Sequence, residues 1–177
     1  QTGTGLVDSV RVLNAASVAL STTSYTYDPS GRQTAVQDPG EFESFTSYTA
    51  RGQVHRQWGA AALPVEYDYD ASYGERTVMR TYRTGTGWSG TSWPASPGTA
   101  DATTWAYDPG TGLLTSKTDA ANRAVAYSYF STGQLARRTW ARGVTTDYTY
   151  DSITAEQRNI ESSDGTPTLH YTYNRLG

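Results

Sequence analysis

The amino-acid sequence predicts an all-β protein built from antiparallel β-hairpin repeats that join into one long sheet. Three observations support this prediction. The composition favours strands with a thin core, an aromatic tripeptide returns about every 21 residues, and turn-forming residues follow most of its copies.

The composition replaces aliphatic side chains with aromatic and β-branched polar ones. The 177 residues include 14 tyrosines, 5 tryptophans and 28 threonines, and such residues suit a pleated, half-buried surface. The chain has no cysteine and a formal net charge of −3. Disulfides and zinc–thiolate sites are therefore excluded, and the sequence lacks the basic footprint of a nucleic-acid-binding domain. No apolar run approaches the ~20 residues of a membrane span.

The repeated tripeptide consists of an aromatic residue, any residue and then tyrosine. The copies are Tyr25–Tyr27, Tyr67–Tyr69, Trp105–Tyr107, Tyr127–Tyr129, Tyr148–Tyr150 and Tyr171–Tyr173, with a weaker copy that ends at Tyr48. The second tyrosine recurs at steps of 21, 21, 38, 22, 21 and 23 residues, and the long step indicates an insertion. Side chains two residues apart on a strand face the same side, so each copy predicts a strand with two rings on one face.

Turn residues follow these tyrosines in a fixed order. The aspartates that come next are Asp28, Asp70, Asp108 and Asp151, and the glycines four or five residues after a tyrosine are Gly31, Gly52, Gly74, Gly112, Gly133 and Gly177. Asp caps a turn with its side chain, and Gly supplies the positive φ that closes it. The copy ending at Tyr150 has Thr154 in place of this glycine. Strand, turn and strand make a hairpin, and a second turn, such as that near Asp38–Gly40, leads into the next unit.

The segments Tyr25–Arg32 and Trp105–Leu114 resemble the signature of the YD repeat, or Rhs repeat. Seven copies in register cover about residues 20–177. The family includes Rhs polymorphic toxins, cocoon-forming components of insecticidal Tc toxins, bacterial wall-associated proteins and teneurins. The resemblance implies a hairpin ribbon that curves and spirals into a hollow β-shell, which in the toxins encloses a toxic C-terminal segment.

The organisation expected is an N-terminal β segment or edge hairpin over residues 1–20, followed by seven repeats over 21–177. Residues 5–20 fit helical spacing as well as a hairpin, and the β neighbours favour the hairpin. The insertion, about residues 84–104, is rich in Gly, Ser, Thr and Pro and is expected to form a loop. Because Gln1 and Gly177 stand inside repeat motifs, we expect a fragment of a longer array, or a module that associates end to end with further copies.

No catalytic or metal site is marked by the sequence. The repeated aspartates are expected to cap turns, and the pair Asp68 and Asp70 is a cation-binding alternative. His55 and His170 lie 115 residues apart in unrelated repeat phases. The carboxylates considered as a glycosidase pair are Glu41, Glu43 and Glu66.

Trp88 and Trp93 in the insertion are the candidates for ligand binding. Indole faces stack on sugar rings, and loops carry function on rigid scaffolds. The alternative is that both rings fold back to plug the shell or pin the loop. Trp58, Trp105 and Trp140 fall at repeat positions and are expected to pack.

The function expected is non-catalytic and needs no cofactor: a structural segment of a β-shell that encloses or displays another segment of a toxin or surface protein. The alternative is an extracellular adhesion module that binds a glycan or protein through the insertion loop. A carbohydrate-active enzyme is a third hypothesis. Expected partners are flanking repeats or further copies of the chain, an enclosed toxin segment or a surface glycan, and the expected location is secreted or at the cell surface.

Overall fold

The computed structural model describes residues 5–174, and these contain no helix, which confirms the all-β prediction. The described residues therefore include no helix that could cross a membrane. The strands are β1 Ser9–Leu13, β2 Ala19–Tyr27, β3 Gln33–Gln37, β4 Glu43–Tyr48, β5 Val54–Gly59, β6 Val65–Tyr69, β7 Arg76–Tyr82, β8 Ala100–Tyr107, β9 Leu114–Thr118, β10 Ala124–Tyr129, β11 Leu135–Thr139, β12 Thr145–Tyr150, β13 Gln157–Ser162 and β14 Leu169–His170.

Each of these strands pairs with its neighbours in the chain, so the sheet order runs from β1 to β14 without a crossover. The pairing is antiparallel, as in β4 and β5, where Phe45 faces Trp58. Contacts divide the chain into two units, Gln1–Ala102 and Thr103–Gly177. A sheet in which every strand contacts only its neighbours is the architecture predicted from tandem hairpins.

One five-residue turn recurs at both ends of the hairpins. In the turn 28–32, the N–H of Asp28 donates to the carbonyl of Arg32 and the N–H of Gly31 donates to the carbonyl of Asp28, each at 2.9 Å. Gly31 has a φ of 78°, the left-handed conformation that closes a three-residue hairpin loop. The same bonds form in the turns 14–18, 38–42, 49–53, 119–123, 130–134 and 140–144.

A longer version of this turn spans six residues at 70–75, 108–113 and 151–156. The N–H of its first residue donates to the carbonyl of the sixth, as Asp108 does to Leu113 at 2.8 Å. In the sequence, the left-handed glycine of such a turn comes five rather than four residues after the tyrosine. The spacing of Gly therefore encodes the length of the loop.

Residues other than glycine hold some of the left-handed turn positions, and one expectation about such a position was wrong. Glu41, with a φ of 62°, closes the turn 38–42, although Gly40 stands beside it. Ala155, also at 62°, occupies the position where Thr154 was expected to replace glycine. The reason is that Asp151 begins a six-residue turn, whose left-handed position is the fifth.

A β-bulge marks the second tyrosine of six of the seven repeats. The register shifts by one residue at this tyrosine in six strands, whose second tyrosines are Tyr27, Tyr48, Tyr69, Tyr107, Tyr129 and Tyr150. In each case the tyrosine faces the residue two positions after the left-handed turn residue, as Tyr27 faces Gln33 beyond Gly31. At Tyr27, Tyr48 and Tyr129 the bulge is a consequence of the turn type, because a three-residue loop with a left-handed residue adds one residue to one strand. The six-residue turns that follow Tyr69, Tyr107 and Tyr150 carry the same register shift.

The structure sets the boundaries of three segments that the sequence left open or placed differently. Residues 9–27 form the hairpin β1–β2 around the turn 14–18, in place of the helical alternative. The insertion loop spans 83–99 rather than 84–104, because 100–104 belong to strand β8. The tripeptide Tyr171–Tyr173 follows β14 instead of lying within a strand, although the N–H of Tyr171 still donates to the carbonyl of Arg158 at 2.9 Å. Gln1 and Gly177, on which the expectation of a fragment or an end-to-end module rests, lie outside the described residues.

The apolar core is thin. Phe45 and Trp58, exposed by 8% and 7%, are the buried hydrophobic residues among those described, and their rings stack with centroids 5.5 Å apart. Both lie in the first unit, on the face that the insertion loop covers. Most of the remaining aromatic rings are half-buried and the rest are exposed, so hydrogen bonds and ring contacts contribute much of what holds each hairpin to the next.

Candidate functional site

The first element of the candidate site is a series of hydroxyl bonds between successive hairpins. The hydroxyl of Tyr48 donates to the carbonyl of Gln33 at 2.7 Å, and that of Tyr69 donates to Val54 at 2.7 Å. Equivalent bonds join Tyr27 to Val7, Tyr129 to Leu114 and Tyr173 to Gln157, each at 2.9 Å. Apart from Val7, every acceptor is the first residue of its strand. Phenylalanine would supply the ring but not this bond, which gives a physical reason for tyrosine.

The second element consists of side chains that reach forward to the next turn. The amide of Gln53 donates to the carbonyl of Gly74 at 2.6 Å, and the amide of Gln134 donates to Ala155 at 3.0 Å. The guanidinium of Arg51 also donates to the carbonyl of Ala71. The glutamines directly follow the left-handed glycine. We refer to the tyrosine bonds and these forward bonds together as the hairpin links.

The aspartates that follow the tyrosines cap their own turns. The carboxylate of Asp28 accepts the N–H of Ser30 at 2.9 Å and of Arg32 at 3.0 Å. The main-chain N–H of Arg32, together with its guanidinium, holds the pKa of Asp28 below its usual range. The main-chain N–H of Thr154 and the guanidinium of Arg158 likewise lower the pKa of Asp151. The pKa values of Asp70, Asp108 and Asp119 are lowered as well.

The insertion loop places both of its tryptophans in an aromatic cluster. The ring of Trp93 lies 5.7 Å from Trp58 and 5.1 Å from Trp88, between centroids. Tyr82 lies 5.4 Å from both insertion rings, and the indole N–H of Trp58 donates to the carbonyl of Gly90 at 3.0 Å. These contacts favour the pinning alternative, because protein rings already occupy the indole faces and edges. Ligand binding by Trp88 and Trp93 stays a prediction.

A buried ion-pair network adjoins this cluster. Glu66 is 9% exposed and accepts hydrogen bonds from Arg56 at 2.7 Å and from the hydroxyl of Tyr82 at 3.0 Å. Burial alone raises the pKa of Glu66, but the bonds from Arg56 and Tyr82 and the charge of Arg80 outweigh it, and the pKa is lowered. The guanidinium of Arg56 also lies 4.9 Å from the ring centroid of Trp93. The carboxylate is therefore satisfied and joins the loop to the sheet.

Asp68 and Asp70, the candidate cation pair, have separate partners. Asp68 binds Arg80 at 2.6 Å, while Asp70 caps its turn through the N–H of Glu75 at 2.9 Å. His55 lies 3.8 Å from Glu66. The ring of His170 shares a 2.7 Å hydrogen bond with Asn159. Glu41 lies in a turn and Glu43 begins β4. Within residues 5–174 no group of three or more such side chains could hold a metal ion.

Sequence reasoning missed two features of this site. It did not assign a role to the glutamine that follows two of the turn glycines, although Gly-Gln recurs in the sequence at Gln53 and Gln134. It also did not anticipate the Arg56–Glu66–Tyr82 network, since no local pattern joins residues on three different strands. The repeated Gly-Gln pair was the signal that could have identified the forward links.

The comparison with solved structures identifies the fold. The chain superimposes on the crystal structure of TcdB2-TccC3 without its hypervariable C-terminal region, with a TM-score of 0.52 and 18% identity over 96% of this chain. The chain has the YD-repeat fold. The match covers 11% of that chain, so this sequence spans about a tenth of the length of the solved protein.

Two further structures match with lower TM-scores, which add nothing to the assignment of the YD-repeat fold. The crystal structure of TcdB2-TccC3 gives a TM-score of 0.35 and 13% identity over 99% of this chain and 12% of that one. The Photorhabdus luminescens Tc holotoxin pore gives 0.34 and 13% over 96% and 12%. No family model and no curated protein matches the chain.

Proposed function

We propose that this chain is a non-catalytic wall segment of a β-shell that encloses or displays another segment of a toxin or surface protein. The observation that carries the proposal is the likeness in fold, at a TM-score of 0.52, to a TcdB2-TccC3 chain crystallised without its hypervariable C-terminal region. We assign the segment no catalytic step and no cofactor.

The hairpin links support this role. In a repeat array each unit contacts only its neighbours, so the interfaces between units decide whether the array holds together. Here a hydroxyl bond such as Tyr69 to Val54 ties one hairpin back to the previous one, and an amide bond such as Gln53 to Gly74 ties it forward to the next turn. A wall linked in both directions can grow by adding repeats without a thick core.

The composition of the two faces of the sheet suits a wall with both faces hydrated. Strand β10 alternates half-buried Val125, Tyr127 and Tyr129 with exposed alanine and serine. The sheet therefore need not stack on a second sheet, as a β-sandwich would. The partners we propose are flanking repeats or further copies of this chain and an enclosed segment, and the location we propose is outside the cell that makes the protein.

Limited proteolysis of the full-length protein tests the proposal. Enclosure predicts that a segment outside the repeats resists protease until the repeats themselves are cut. A Gln53→Ala, Gln134→Ala double variant, which loses two forward links, should release that segment earlier. Ser131→Ala, an exposed change in the same turn as Gln134, is the matched control. Cleavage of every segment outside the repeats before the repeats are cut, in the unmodified protein, would contradict enclosure.

A further inference from the structure

An open groove in the second unit combines an exposed tryptophan with several cations. It has a volume of about 730 Å³ and lies between the turns 119–123 and 140–144. The residues that line it are Lys117, Asp119, Arg123, Val125, Trp140, Ala141 and Arg142. None of these residues belongs to the insertion loop or to the hairpin links.

The position of Trp140 is not explained by the turn that it begins. Equivalent positions hold Asp28 and Asp119, whose carboxylates cap their turns, whereas an indole has no acceptor for this purpose. Trp140 was expected to pack within the repeat, yet it is 36% exposed. The exposure leaves part of the ring accessible from the groove.

Contacts away from the groove fix the orientation of the Trp140 ring. Its indole N–H donates to the hydroxyl of Thr146 at 3.2 Å, and Thr146 is itself 5% exposed. The guanidinium of Arg138 lies 4.0 Å from the ring centroid. A ring fixed in this way loses little conformational entropy when a ligand covers it.

The charges around the groove are mostly positive, in a chain of net charge −3. Lys117, the one lysine of the sequence, stands with Arg123 and Arg142, while Asp119 is the carboxylate among the lining residues. Arg123 pairs with Asp119 at 3.2 Å and Arg142 pairs with Asp164 at 3.0 Å, with both arginine side chains at least 70% exposed. Exposed pairs of this kind are weak, so both guanidinium groups remain able to bind an anion.

We propose that this groove binds a saccharide that carries carboxylate or sulfate groups. The accessible indole offers a flat apolar surface to a sugar ring, and the cations offer charge-assisted hydrogen bonds to its anionic groups. A peptide that adds a strand needs an unpaired edge. In this groove the main chain is closed within the turns, since the N–H of Asp119 donates to Arg123 and that of Trp140 donates to Val144.

Binding to the 177-residue chain can be followed by tryptophan fluorescence and calorimetry. The probes are an oligogalacturonate, a sulfated galactan oligosaccharide, a neutral cellulose oligosaccharide and polyglutamate. We expect saturable binding of at least one of the two anionic saccharides, and the pair distinguishes carboxylate from sulfate recognition. Equal affinity for the neutral saccharide or for polyglutamate, or no saturable binding of either anionic saccharide, would overturn the proposal.

Variants locate the site. Lys117→Gln, an exposed change, should weaken binding by about tenfold, the effect of losing one charge-assisted bond. Trp140→Ala should abolish detectable binding, and Trp140→Phe should restore part of it. Arg137→Gln is the control, because Arg137 precedes Arg138 in β11 and therefore lies on the opposite face. Affinity that is unchanged in Lys117→Gln, or that falls equally in Arg137→Gln, would contradict a site in this groove.

Discussion

The hydroxyl of Tyr129 donates a 2.9 Å hydrogen bond to the main-chain carbonyl of Leu114, the first residue of the strand that returns from the preceding turn. Leu114 in turn faces Tyr107, the second tyrosine of the preceding repeat. The bond therefore connects one repeat to the position that holds the tyrosine of the repeat before it. The same geometry joins Tyr48 to Gln33, which faces Tyr27.

Tyr129→Phe removes this hydroxyl and keeps the ring. The change should lower the free energy of unfolding by about 1 kcal/mol, because the carbonyl of Leu114 loses its hydroxyl donor. Tyr127→Phe, in the same strand, is the matched control, since within residues 5–174 no hydrogen bond from its hydroxyl is seen. Urea denaturation of both variants gives the comparison, and equal losses would show that the hydroxyl bond has no special weight.

Ala155→Gly should stabilise the protein. Ala155 has a φ of 62°, which costs an L-residue about 1–2 kcal/mol that glycine avoids. The reverse change, Gly133→Ala, should destabilise by about 1 kcal/mol, and conformation alone accounts for this because nothing lies within 4 Å of the added Cβ. Thermal unfolding of the two variants should shift in opposite directions. A lower melting temperature for Ala155→Gly would refute the turn assignment.

The turn aspartates make the stability of the folded protein depend on pH. The pKa values of Asp28, Asp108 and Asp119 are lowered in the folded protein, so the unfolded chain binds their protons more readily. Their contribution is fully present above the unfolded pKa of about 3.9 and is lost as the pH falls through the lower folded values. Urea midpoints should therefore fall below about pH 4.

A matched variant isolates this effect. Asn14 caps the turn 14–18 through the N–H groups of Ala16 and Val18, which shows that an amide can fill the role of the carboxylate. Asp119→Asn should thus keep the turn and flatten the acid dependence. If the urea midpoint of Asp119→Asn falls with decreasing pH as steeply as that of the unmodified protein, Asp119 does not contribute to the acid dependence.

Trp93→Ala should release the insertion loop. Trp93 contacts Trp58, Tyr82 and Trp88. Removing its ring should lower the free energy of unfolding by about 3 kcal/mol, at the low end for tryptophan truncation. Hydrogen exchange should rise in residues 83–99. Leu63→Ala, at a side chain that is 88% exposed, should change neither quantity. Unchanged exchange in the loop of Trp93→Ala would show that the cluster does not pin it.

The fold could be predicted from the sequence because each repeat contains the residues that determine its own strands and turns. The spacing from Tyr48 to Gly52, or from Tyr69 to Gly74, encodes a five- or six-residue turn, and tandem hairpins leave little choice of sheet order. Ala155 and Glu41 escaped prediction because their left-handed conformation is imposed by turn length and not by residue type.

Contacts between distant segments were harder to predict. The packing of Trp93 on Trp58 depends on how the insertion loop folds back over the sheet, which no local pattern describes. Trp140 is exposed because it begins the turn 140–144, which lines an open groove together with the turn 119–123. The repeat phase alone suggested a packed ring, whereas the contacts of Trp140 with Thr146 and Arg138 show which parts of it are covered.

The most direct test of the wall-segment account is a cryo-EM reconstruction of the full-length protein that contains this chain. The account predicts that residues 5–174 form hairpins in chain order, with the tyrosine hydroxyls of Tyr48, Tyr69 and Tyr129 on the carbonyls of the preceding hairpins. It also predicts that these hairpins lie in the wall of a shell with ordered non-repeat density inside. Helices across the tyrosine tripeptides would contradict the fold, and repeats that form no enclosing wall would contradict the proposed function.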